Sequence, residues 1–253
     1  MSAKSNKGLR TPPSLERSEP CAEYAGIVYK ESGIMAAVSS SFQKYKEFGS
    51  RSPEKLKPLH KYIASVLAGI WGSDYRICYM GGKAKEMTVE GKYYPKDIDI
   101  TVTDANCKPV FCLGIKFVTS NYKQNANNYF ENMMGETANI QATQIPYAQL
   151  IILRHETPYY KKNETELPSK IEIVNDKDIA KYLKLMYDQP QAHRPNYLGI
   201  QLINVDEKAG KVSVTKLEKS FSAETTKFLK TKLSLSNFFS EIEAYKDYLK
   251  LKK

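Results

Sequence analysis

Residues 93–118 read YYPKDIDITVTDANCKPVFCLGIKFV. Ile98, Ile100 and Val102 alternate with Asp97, Asp99 and Thr101, the period of a strand with one apolar face. A strand over residues 97–103 therefore carries both aspartates on one side. Asp104, Ala105 and Asn106 supply a tight turn, and residues 110–118 form a second, more apolar strand in which Cys112 reads as a small buried residue. Asp99 and Lys116 are 17 residues apart, which suits two paired strands joined by a short turn. Antiparallel pairing then brings the two carboxylates and the Lys116 ammonium to one end of a sheet.

Upstream, a helix is expected over residues 59–71. Its apolar positions Tyr62, Ile63, Val66, Leu67 and Ile70 follow helical spacing, Pro53 and Pro58 bracket its start, Gly72 stops it, and Trp71 belongs to the core. A strand over 75–80 and a turn at Gly81-Gly82 lead towards the hairpin. Downstream, residues 124–141 lack proline and read as a helix. The run AQLIIL at 148–153 is apolar without alternation, as in a buried strand with parallel neighbours. Beyond it come a helix at 176–187 capped by Asn175 or Asp176, strands at 198–205 and 211–217 around Lys208-Ala209-Gly210, and two closing helices at 222–232 and 236–251. The fold class is α/β (α+β), a mixed central sheet flanked by helices. Residues 1–20 are polar and Pro-rich, lack the apolar core of a signal peptide and read as a flexible tail, leaving 21–253 as a single domain.

The chain has 253 residues, 42% of them hydrophobic, enough for a substantial core. No apolar run is long enough to span a membrane. The 38 basic residues outnumber the 28 acidic ones, giving +10, and only six of the basic residues are arginine. Such a balance suits either a polyanionic partner or a lysine-rich solubilising surface. Cys21, Cys78, Cys107 and Cys112 form no CxxC pair, which points to a reducing cytoplasm. His60, His155 and His193 show no zinc-site spacing.

Carboxylates at the end of a hairpin, with a lysine beside them, are what phosphodiester hydrolysis needs. Carboxylate oxygens hold a hard divalent cation, and an ammonium stabilises the attacking hydroxide and the charge that builds up on phosphorus. Pro95, Asp99 and Lys116 resemble the PD-(D/E)xK nuclease motif, on the hairpin and before the helix and strand that the motif requires. The resemblance covers residues 58–155. One position departs from it: the acid two residues before the lysine is Gly114. A branch of the type II restriction endonucleases places a small residue there and takes a glutamate from the following helix. Gly114-Ile115-Lys116, followed by Glu136-Thr137-Ala138-Asn139-Ile140, looks like that arrangement; Glu131 and Glu136 lie 15 and 20 residues after Lys116.

That resemblance implies a restriction-endonuclease-like core and Mg²⁺-dependent cleavage of double-stranded DNA at a short palindromic site, leaving 5′-phosphates. It implies a homodimer, a cognate DNA methyltransferase as genetic partner, and a bacterial or archaeal cytoplasm. The C-terminal part would serve DNA recognition or dimerisation. Asp99 would be the principal metal ligand, Asp97 a supporting acid, Lys116 the group acting on water, and Glu136 or Glu131 the completing carboxylate. Other readings are a repair or resolvase-type nuclease on the same core and an inactive DNA-binding protein. A basic interaction protein without this fold would leave the D-x-D and Gly-Ile-Lys strands unpaired.

Between the two glutamates, helical geometry favours Glu136. Ala126, Tyr129, Phe130, Met133, Thr137 and Ile140 make one apolar face. Glu131 lies roughly 140° from its centre and Glu136 roughly 80°, at the boundary beside the sheet, with Gly135 expected to permit close approach. Asn121, Asn125, Asn128, Asn132 and Asn139 form a polar stripe, suited to solvent or to a DNA or subunit interface. Candidate DNA contacts are Lys83, Lys85, Lys92 and Lys96 for phosphates, and Arg154, His193, Arg194 and Asn196 for bases, with Asn121 and Asn125 beside them.

Overall fold

The computed structural model describes residues 26–82, 85–160, 168–189 and 193–251. The expected tail at 1–20, Cys21 and Lys83 lie outside these residues. Two helices open the described chain, α1 (Glu31–Phe48) and α2 (Lys57–Trp71). After strand β1 (Arg76–Tyr79) come two short strands, β2 (Met87–Glu90) and β3 (Pro95–Ile98), and then the hairpin of β4 (Ile100–Thr103) and β5 (Pro109–Val118). Helix α3 (Tyr122–Gln141) leads into β6 (Tyr147–Arg154), followed by β7 (Glu156–Tyr159), β8 (Lys170–Ile173) and α4 (Asp176–Met186). The chain ends with β9 (Tyr197–Asp206), β10 (Lys211–Val214), a single turn α5 (Leu217–Ser220), α6 (Ala223–Thr231) and α7 (Leu235–Leu251).

Six strands form the central sheet in the order β1-β4-β5-β6-β9-β10. β1, β4 and β5 run antiparallel to their neighbours, while β5, β6 and β9 are mutually parallel. The turn before β5 is closed by Asp104, whose Oδ1 accepts from Asn106 N and Lys108 N, both at 2.9 Å. Parallel neighbours need a crossover, and α3 is the crossover from β5 to β6. β6 lies between β5 and β9 and is buried at every position, as its unalternating run implies. Its side chains still divide between faces: Leu150 and Ile152 join the core with α1, α2 and α7, whereas Ile151 and Leu153 join the core with α3, α4 and α6. The result is a mixed sheet covered by helices on both faces.

The expected strand at 97–103 is instead two. β3 pairs with β2 in a separate two-stranded sheet, Asp97 opposite Thr88, and the chain then bends at Asp99 and continues as β4 in the large sheet. Ile98 accordingly packs with Val89, Cys112, Ile140 and Tyr147, while Ile100 enters the core beneath α2. Asp97 and Asp99 thus sit in different sheets rather than on one strand face. Helix α1, with Ile34, Val38, Ser41 and Phe42 buried at helical spacing, completes the covering of one face. Among the described residues, no helix is long and apolar enough to cross a membrane.

Candidate functional site

The register of the β4–β5 hairpin pairs Ile100 with Leu113, so Asp99 lies at its end beside Gly114 and Ile115. One carboxylate oxygen, Oδ2, accepts from Ile115 N at 2.6 Å, which fixes the side chain and leaves lone pairs for another partner. Lys116 is the next residue. Its ammonium lies 3.7 Å from Glu136 Oε1, and Lys96 of β3 approaches the same oxygen at 3.1 Å. Tyr147 on β6 donates to Glu136 Oε2 at 2.9 Å. Burial opposes the charge on Glu136, but Lys116 and Lys96, helped by the Tyr147 hydroxyl, outweigh it and hold the carboxyl below its usual range.

Why position 114 is glycine follows from the same contacts. A Cβ there would lie 2.2 Å from the Tyr147 hydroxyl oxygen and 2.9 Å from Gln149 Oε1. Gln149 closes the arrangement by donating from Nε2 to Gly114 O at 2.9 Å. The space of a motif acid at 114 is therefore filled by a tyrosine hydroxyl, and the carboxylate beside Lys116 is that of Glu136. Glu131 is exposed on another face of α3, near Lys181. Gly135 was expected to permit a close approach; a Cβ there would meet nothing within 4 Å, because it faces solvent.

On its other side Asp99 meets two groups that motif reasoning passed over. Ligand atoms of Asp99, His60 and Glu86 all lie within 4.8 Å of one another, a group able to hold a metal ion. His60 comes from α2, which packs on the sheet face opposite α3, and Glu86 from the segment leading into β2. The His60 ring is fully buried, and neither nitrogen has a hydrogen-bond partner. Burial pushes its pKa down, against the opposing pull of Asp99, so the imidazole is neutral and fit to ligate near neutral pH. Glu86 is exposed, yet its carboxyl is pushed up by desolvation and by the like charges of Asp99 and Asp97. A cation would relieve that repulsion. The sequence does hold a trace of His60: with Ile63, Ala64 and Leu67 it occupies the buried stripe of α2, an unusual place for an unpaired imidazole. Nothing local marks Glu86.

The remaining candidates separate. Asp97 is exposed and accepts from Thr88 Oγ1 at 2.5 Å. Lys85 and Lys92 are exposed, beside the exposed rings of Tyr93 and Tyr94, while Lys96 belongs to the Glu136 cluster. Asn121 takes a left-handed conformation at the start of α3 and its carbonyl accepts from Asn125 Nδ2 at 3.0 Å. Arg154 does not present a guanidinium to solvent: it is 5% exposed, pairs with Glu207 at 2.6 Å and donates to Glu156 O. Arg194 donates to Met186 O, and Asn196 Oδ1 accepts from Tyr147 N and Gln141 Nε2, so both brace the chain before β9. His193 is exposed. Asn139, expected in a polar stripe, is fully buried and clamps the loop before β3, accepting from Tyr93 N and donating to Tyr94 O, both at 2.9 Å. Set against known proteins, the chain matches no family model, no curated protein and no solved structure.

Proposed function

We propose that the chain is a metal-dependent DNA endonuclease of the type II restriction kind, hydrolysing phosphodiester bonds of double-stranded DNA with Mg²⁺ and leaving 5′-phosphates. The observation that carries this reading is the meeting, at one hairpin end, of Asp99, Lys116 and a glutamate from the next helix, with Gly114 making the room. Further support comes from the order of elements around it: α2, three antiparallel strands, α3 and a parallel strand, which is the order the motif resemblance requires. The pairing of β4 with β5 also weighs against an interaction protein with unpaired strands there.

Asp99 would hold the cation, with His60 and Glu86 or with Glu136 as companions. When bound, a divalent cation polarises the phosphate and acidifies water at the site. Lys116 would orient the attacking water and stabilise charge on the phosphate. Glu136 keeps Lys116 charged and aimed, and Lys96 shares that carboxylate. Lys85 and Lys92 would contact phosphates, giving affinity without sequence choice. Two copies acting on a palindromic site, with a cognate methyltransferase protecting it, complete this reading.

The test is digestion of a complex DNA in Mg²⁺, followed by sequencing of the ends. Discrete fragments sharing one end sequence are expected. Cleavage only at branches or lesions would redirect the reading to a repair nuclease, and intact DNA at every metal concentration would remove it.

A further inference from the structure

We propose that His60, Glu86 and Asp99 form a mixed nitrogen and oxygen site whose preferred occupant is a first-row transition cation of the Mn²⁺ type. The proposal deepens the nuclease reading by naming its cation; it rests on that reading for the use of the ion, not for its binding. Three observations meet here. The ligand atoms lie within 4.8 Å of one another, close enough for one ion to span after small adjustments. Two carboxylates gather where like charge already makes Glu86 harder to ionise, so a cation is drawn in electrostatically. Most tellingly, the His60 ring is 0% exposed with both nitrogens unpartnered, and it is aimed at the carboxylates. Buried polar groups are nearly always satisfied, so a ring left this way needs a partner. A core histidine kept for packing alone would be expected to find a carbonyl or hydroxyl.

The donor set selects the ion. Carboxylates suit Mg²⁺, Ca²⁺ and Mn²⁺, whereas imidazole suits transition ions. Mg²⁺ sheds water reluctantly and favours oxygen. One imidazole with two carboxylates therefore favours Mn²⁺ over Mg²⁺ while leaving positions for water and a phosphate oxygen.

The experiment titrates the purified full chain with Mn²⁺ alone and records pulsed electron paramagnetic resonance. Coupling to one histidine nitrogen is expected, changing from the ¹⁴N to the ¹⁵N pattern when the histidines are ¹⁵N-labelled. His60→Gln should abolish the coupling and weaken Mn²⁺ binding by at least about 10-fold, while His193→Gln should retain both. Asp99→Asn, which keeps an acceptor for Ile115 N, should also lose the nitrogen-coupled ion, and it serves if the His60 variant fails to fold. Mg²⁺ competition should show Mn²⁺ preferred in the parent. Bound Mn²⁺ without nitrogen coupling overturns the proposal, as does coupling that survives Asp99→Asn. Because no DNA is present, a chain that binds Mn²⁺ through nitrogen but cuts nothing supports this site while removing the nuclease reading. A chain that cuts with Mg²⁺ but shows no nitrogen on Mn²⁺ overturns the site alone.

Discussion

Asp99 is the residue on which both halves of the site depend, since it faces Ile115 and Lys116 on one side and His60 and Glu86 on the other. Asp99→Ala should abolish cleavage and leave duplex binding in Ca²⁺ largely intact, because loss of a metal ligand affects chemistry more than docking. Single-turnover cleavage near the parental rate would remove the assignment, and Lys116→Ala should behave like Asp99→Ala. Gly114 makes a different kind of prediction. Gly114→Ala puts a carbon against the Tyr147 hydroxyl and should cost about 1–3 kcal/mol by urea unfolding. Gly114→Asp, which restores the motif acid, should gain no activity for the same reason; a variant as stable as the parent would refute the close approach. Asp99, Lys116 and Glu136 were legible in the sequence because a short motif and one helical wheel suffice to place them. His60 left a fainter trace, and Glu86 none, since its approach to Asp99 depends on where the segment before β2 docks.

Helix α3 shows how far periodicity reaches. It correctly turns Met133, Thr137 and Ile140 inward, puts Glu136 at the boundary and leaves Glu131 in solvent. Glu136→Ala should therefore cripple cleavage across a Mg²⁺ titration while Glu131→Ala stays near parental; the reverse result would overturn the assignment. Periodicity failed where a tertiary contact decides. Asn139 looked like part of a hydrophilic stripe, but the loop before β3 folds onto it. Asn139→Ala leaves the backbone of Tyr93 and Tyr94 without those bonds and should cost about 1–3 kcal/mol, with faster proteolysis at residues 91–94. Unchanged stability and cleavage pattern would argue against the clamp. The strand at Asp99 failed for a related reason. Ile98 and Ile100 are both buried, as alternation requires, but in different cores, and a period of two cannot tell one strand from two that change sheets.

Taken whole, the chain carries a lysine excess that cleft geometry alone does not use. Duplex binding should weaken steeply between about 50 and 200 mM salt, as phosphate contacts release counterions. Binding that stays flat over that range would count against any nucleic-acid partner. Acid should act on the metal-free protein through its histidines. His60 and His155 are both held below the ordinary imidazole value of 6.5, by burial first, with Asp99 and Glu156 respectively pulling the other way. The unfolded chain takes up these protons before the folded one does. Stability is thus full above 6.5 and is lost as pH falls through 6.5 towards the folded values. The urea midpoint should drop between about pH 7.5 and 5.5, less so in His155→Phe; a flat or rising midpoint would contradict this.

One consequence of the bend at Asp99 concerns heat. Lys96 and Asp97 lie on the small β2–β3 sheet and Glu86 just before it, and the sheet is anchored by the five buried side chains Val89, Ile98, Cys112, Ile140 and Tyr147. His60 and Lys116 stand on elements of the main body, whose core is far larger. A unit held by so few apolar groups should open by itself well before the global transition. Amides of residues 87–98 should exchange hydrogen faster than those of β4, β5 and β6. On warming, catalysis should fade over a range in which circular dichroism still reports a folded protein, and saturating divalent cation, by tying Glu86 to His60 and Asp99, should narrow the gap between the two melting points.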